Sequence, residues 1–87
     1  MTATLQLTQM LASMVGAEVT RTVTGSTVAA ALESLFAEQP ILRTHILDES
    51  GAIRPHVAVF VDGTQAGLDA PVPDGAKVYV LHAVSGG

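Results

Sequence analysis

At 87 residues the chain is one domain, near the lower size at which a single core folds without disulfides or metal, and its 48% hydrophobic but 3% aromatic content requires a core of Val, Leu, Ile and Ala. The absence of cysteine excludes a disulfide framework, a thiolate zinc site and a thiol nucleophile. The net charge of −4, with Arg21, Arg43, Arg54 and Lys77 scattered and no basic stripe interleaved with aromatics, argues against nucleic acid and leaves docking on another protein, or plain solubility, as the use of the charge.

Taken in chain order, "TLQLT" (4–8) alternates polar and apolar residues and predicts a short strand with Leu5 and Leu7 on one face. "QMLASMVGA" reads as a weakly helical or irregular link closed by Gly16. "EVTRTVT" (18–24) alternates again through Val19 and Val23, with Arg21 interrupting the pattern, so the two strands suggest an antiparallel hairpin. "GSTVAAALESLFAEQP" is the clearest helix, capped by Ser26 or Thr27, running to Glu38 and ended by Pro40. Val28, Ala31, Leu32, Leu35 and Phe36 fall on one stripe, as expected of a helix lying across a sheet.

"ILRTHILDESGAI" predicts an irregular segment with one helical turn, followed by a turn at Glu49, Ser50 and Gly51. "HVAVFVDG" (56–63) is a strand with Val57, Val59 and Val61 on one face and an Asp62-Gly63 turn at its end. "DAPVPDG" is turn-rich, with room for a short strand but with Pro71 and Pro73 barring a central one. "AKVYVLHAV" (76–84) is the last strand, Val78 and Val80 on one side, Tyr79 and Leu81 on the other.

The ordinary chemistries find no support. No GxSxG elbow surrounds any serine, His45, His56 and His82 lack metal-ligand spacing and read as surface or strand-edge residues, and the glycines form neither GxGxxG nor a P-loop. Asp62, Asp69 and Asp74 sit in turn contexts that explain them without calcium. No run of about 18 apolar residues exists, and the N-terminus lacks the basic leader and apolar segment of a signal peptide. A cytoplasmic protein with no membrane partner is expected.

Three ordered segments, "STVAAALESLF", "PILRTHILDESGAIRPHVAVFVDG" and "PVPDGAKVYVLHAVSGG", resemble the ThiS/MoaD family of ubiquitin-like β-grasp sulfur carriers. The match includes "DGAKV" at Asp74 to Val78 and the closing Gly86-Gly87. His82 stands where many relatives have proline, Ser85 where alanine is common, and the segment up to Gly16 is the least family-like.

The resemblance implies an α+β, ubiquitin-like β-grasp fold, with a mixed four- to five-stranded sheet and one main helix packed across it. It implies a β-grasp domain over 1–83 and a flexible C-terminal tail over 84–87, with the first and last strands parallel. It also implies that an E1-like adenylating enzyme uses ATP and magnesium to activate the Gly87 carboxylate. A sulfur donor then converts the acyl-adenylate to a thiocarboxylate, and a synthase accepts the sulfur. The chain would itself catalyse nothing and hold no resident cofactor or metal.

Glycine at 86 and 87 suits passage through a narrow channel, and 84–87 extended reach roughly 13 Å at about 3.3 Å per residue. If the strand valines face the helix, Phe60, Tyr79 and Leu81 make an apolar patch on the opposite face, expected with Val84 and Ser85 to dock the partners. Three alternatives stay open: the small subunit of molybdopterin synthase, a ubiquitin-like modifier joined to lysines, and an interaction module with an idle tail.

Overall fold

Period-two alternation puts Ala3, Leu5 and Leu7 on one side of the first strand and Val78 and Val80 on one side of the last, and the fold is built by laying these two strands together. The computed structural model describes residues 2–16 and 18–82. Strand β1 is Thr2–Leu7, helix α1 Gln9–Val15, strand β2 Thr20–Thr24, helix α2 Val28–Glu38 and helix α3 Leu42–Ile46. Strands β3 (Val57–Val61), β4 (Thr64–Gln65) and β5 (Lys77–His82) follow.

One mixed sheet has the order β2-β1-β5-β3-β4. β1 and β5 pair in parallel, with Leu5 beside Val78 and Leu7 beside Val80, while β2 and β3 flank them antiparallel. This is the β-grasp arrangement that the resemblance implies, with five strands.

The helix stripe read from the sequence is the buried one: Val28, Ala31, Leu32, Leu35 and Phe36 of α2 join the core with Ala3, Leu5, Leu7, Val23, Val57, Val59, Val78 and Val80. Burying each large aliphatic side chain contributes about 1.5–3 kcal/mol. No polar or charged residue is buried among the described residues, so no desolvation of a buried polar side chain offsets that gain.

A helix leaves its first amides without internal partners, and the start of α2 meets that need in two ways. The Thr27 hydroxyl accepts from the Ala30 N–H at 3.2 Å. The Val28 and Ala29 amides donate to the carbonyls of Ala70 and Leu68 at 3.0 and 2.9 Å, and Val72 N–H returns a bond to Ser26 C=O at 2.8 Å. The turn-rich segment therefore caps α2 on its way to β5.

Several sequence expectations shift. β1 begins at Thr2 instead of Thr4, because Asp74 Oδ1 accepts the Thr2 N–H at 2.9 Å and Gly75 N–H donates to Thr2 C=O at 2.8 Å, which fixes the start of the strand. The link over 9–16 is a true helix, capped by the Thr8 hydroxyl on Leu11 N–H and closed by Gly16 at φ 66°. β2 is shorter than 18–24.

Arg21 fits the strand after all. It lies on the inward side at the sheet edge, half-buried, and its guanidinium pairs with Glu38 at the end of α2. The short extra strand is not in the proline-rich segment, where only an isolated Thr27–Pro71 bridge forms. It is β4, which pairs with β3 across a two-residue turn with Asp62 at φ 49° and Gly63 at φ 88°.

Gly25 joins β2 to α2 at φ 141°, and a Cβ there would sit 2.7 Å from both the Ala30 Cβ and the Ala31 backbone nitrogen. Gly25→Ala is expected to destabilise the fold by about 3 kcal/mol through overlap and backbone strain, read as a lowered urea midpoint at unchanged slope.

Asp48 organises the turn before β3. Its Oδ1 accepts from the Ser50 hydroxyl at 2.7 Å, the Ser50 N–H at 2.9 Å and the Ala52 N–H at 3.1 Å. The Ser50 hydroxyl first, then the Ala52 amide, hold this carboxyl below the usual carboxylate range. A depressed folded-state value means the turn's stabilisation is present above the ordinary aspartate value and is lost as pH falls through the folded one. The Ser50 and Ala52 amide resonances should therefore stay unchanged by NMR until the pH drops below the ordinary aspartate range, and Asp48→Asn should remove the transition.

Candidate functional site

The residues that alternate away from the helices form the outer face of the sheet, and that face is divided. On β1 and β2 it carries Thr2, Thr4 and Gln6 opposite Thr24, Thr22 and Thr20, all exposed and all polar. On β5 and β3 the same rows continue as Lys77, Tyr79 and Leu81, with Phe60 beside Tyr79 and Ala58 beside Leu81.

The apolar half is concave. Phe60, Asp62, Gly63, Lys77, Tyr79 and Leu81 line an open depression of about 310 Å³. Phe60 and Tyr79 are half-buried, and Leu81 is 41% exposed, an unusual placement for a leucine in a central strand. Phe60, Tyr79 and Leu81 are thus brought together as the alternation indicates. Val84, Ser85, Gly86 and Gly87 lie outside the described residues.

Sequence reasoning passed over the polar end of this depression. Asp62 N–H donates to Lys77 C=O and Asp62 Oδ1 accepts Lys77 N–H, both at 2.9 Å, so the hairpin turn and the start of β5 are clamped together. The signal was present in the Asp-Gly turn and in "DGAKV", but only the register of β3 against β5 places Asp62 and Lys77 side by side.

Two of the histidines are brought together by the sheet. His56 and His82, far apart in sequence, meet edge to face with ring centroids 4.8 Å apart, because Val57 is the register partner of His82. The His82 Nδ1 is buried without a partner among the described residues. Two rings make no metal site, and among the described residues no group of three His, Asp or Glu side chains is placed to hold an ion. No helix among them is long and apolar enough to cross a membrane.

A five-stranded sheet with parallel central strands, one long helix across its inner face and an apolar depression on its outer face defines a ubiquitin-like β-grasp protein. The chain belongs to the ThiS family, whose model matches residues 6–87.

The structure is similar to that of SAMP1 from Haloferax volcanii, with 27% identity, a TM-score of 0.88 and full coverage of both chains. It is also similar in fold to the Amycolatopsis orientalis BexX/CysO complex, at 24% identity and a TM-score of 0.87 over 98% of this chain and 99% of that one. Urm1 from Trypanosoma brucei shares the fold at 22% identity and a TM-score of 0.64, over 99% and 95%. No curated protein sequence matches the chain.

Proposed function

We propose that the protein is a cytoplasmic sulfur carrier whose Gly87 carboxylate is activated and then thiolated on partner enzymes. The observation that carries this reading is the character of β5. It is the central strand of the sheet, bears Tyr79 and Leu81 of the apolar depression, and leads directly into "AVSGG". One element joins the surface for holding a partner to the segment for delivery.

The chemistry follows from the poor electrophilicity of a carboxylate. A Gly87 carboxylate oxygen attacks the α-phosphorus of ATP on an E1-like enzyme, and pyrophosphate leaves. A hydrosulfide equivalent from the sulfur donor then adds to the acyl carbonyl, and AMP departs with the bonding electron pair. The resulting thiocarboxylate is a nucleophile that a synthase can use. This chain supplies the acyl group and the handle, while its partners supply the catalytic groups.

A modifier role is the second reading, favoured by the likeness to a protein named small archaeal modifier protein 1. The same adenylate would then be captured by a lysine amine on a target protein in place of sulfur. The BexX/CysO structure, a two-component complex of a protein with this fold, supports partner docking in either reading.

Deleting Gly87 is expected to abolish loading while leaving the melting temperature unchanged. The assay is intact mass after incubation with an E1-like enzyme, ATP, magnesium and sulfide, in which the full chain gains the mass of one oxygen replaced by sulfur. Loading that survived the deletion would overturn the tail chemistry. Phe60→Asp, at a half-exposed position, should raise the KM for the carrier by about tenfold or more with little change in stability, since it places a charge in an apolar contact. Unchanged KM would remove the depression from the docking surface.

A further inference from the structure

We infer that the apolar depression docks on a protein surface that carries a carboxylate opposite Lys77, and that this charge contact fixes the direction in which the tail is presented. The inference rests on the carrier reading above and adds the chemistry of the partner's rim.

The four cations are not equivalent. Arg21 pairs with Glu38 and Arg43 with Glu33, and Arg54 Nε donates to Thr44 C=O at 2.8 Å. Lys77 is exposed, and among the described residues its ammonium makes no ion pair or hydrogen bond. It is the sole lysine of a chain with net charge −4, and it stands in the one depression whose lining is Phe60, Tyr79 and Leu81.

A partner that covers those three side chains must also cover Lys77. Removing an ammonium from water without a counter-charge costs more than the neighbouring apolar burial returns, unless the partner brings an acceptor. Asp62 lines the same depression, and its Oδ1 accepts the Lys77 backbone N–H, but no ion pair joins its carboxylate to the Lys77 ammonium among the described residues. A partner carboxylate is the acceptor that this unpaired ammonium then calls for. Because the rest of the carrier is acidic, an acidic partner rim is attracted at this point and repelled elsewhere, which favours one docking orientation.

Register gives that orientation a scale. Lys77 opens β5 and Leu81 lies four residues on, beside the exit toward 83–87, so the two ends of the contact are about 13 Å apart along the strand. The partner's carboxylate then sits that far from the surface that covers Leu81. One charge contact and one inserted tail are enough to exclude the reversed approach.

The test is ATP–pyrophosphate exchange with a panel of recombinant E1-like adenylating enzymes, magnesium and carrier, comparing the wild type with Lys77→Glu, Lys77→Gln and Lys77→Arg. Lys77→Glu is expected to raise the KM for carrier by about tenfold or more at unchanged kcat, Lys77→Gln to raise it less, and Lys77→Arg to retain it. Added salt should raise the wild-type KM more steeply than that of Lys77→Gln.

Equal KM for Lys77→Glu and the wild type overturns the carboxylate contact and leaves the carrier reading intact. A wild type that drives no exchange with any enzyme of the panel overturns both. A dimer in sedimentation that Lys77→Glu dissociates would assign the depression to a second copy of this chain and also overturn the inference.

Discussion

The parallel pairing of β1 with β5 is the constraint on which the rest depends. It brings the first and last strands together at the centre of the sheet and stacks Leu5 and Leu7 beside Val78 and Val80 under α2. Parallel neighbours cannot be joined by a tight turn and need a long crossover, so everything between them must be folded back over one face or hung on the outside. α2 and α3 occupy the inner face, β2 extends the sheet on one side, and β3 with β4 extends it on the other. Among the described residues no element covers the outer face of β5.

That history accounts for the division of the outer face. On the β1–β2 side, hydroxyl and amide side chains give a surface that water already satisfies, and the threonines suit strand geometry through their branched Cβ. On the β5–β3 side, the same geometry carries a phenol ring, a phenyl ring and a leucine. The contrast runs along a single line between β1 and β5, so the place where another protein gains most by desolvating this chain is confined to half of one face.

Much of this was legible in the sequence, for identifiable reasons. The stripe from Val28 to Phe36 is unambiguous because it repeats at helical spacing and is flanked by a hydroxyl cap and a proline. The valine alternation of β3 and β5 fixed both the buried set and, by subtraction, Phe60, Tyr79 and Leu81. The helix over 9–15 was less visible because it is short and carries no charge pattern, so its evidence reduces to Thr8 and Gly16 at its two ends. The parallel register itself could not be read from alternation, since that pattern is blind to which neighbour a strand chooses, and it came only with the family resemblance.

Long-range polar contacts were the least accessible. Asp74 on Thr2, Asp62 on Lys77 and Asp48 within its own turn all look alike in sequence, as aspartates one or two residues before glycine or serine. Only the first two stitch distant strands. His56 and His82 show the same limit: their meeting follows from the β3–β5 register and from nothing local.

The central position of β5 has a mechanical consequence. β5 is held on both flanks, by residues 4–7 of β1 and by residues 57–61 of β3, and a load applied along its own axis is shared between them. Traction in that direction must shear two hydrogen-bond ladders at once, whereas a terminal edge strand would peel one bond at a time. The strand that leads into 83–87 is thereby the one best held against such a load.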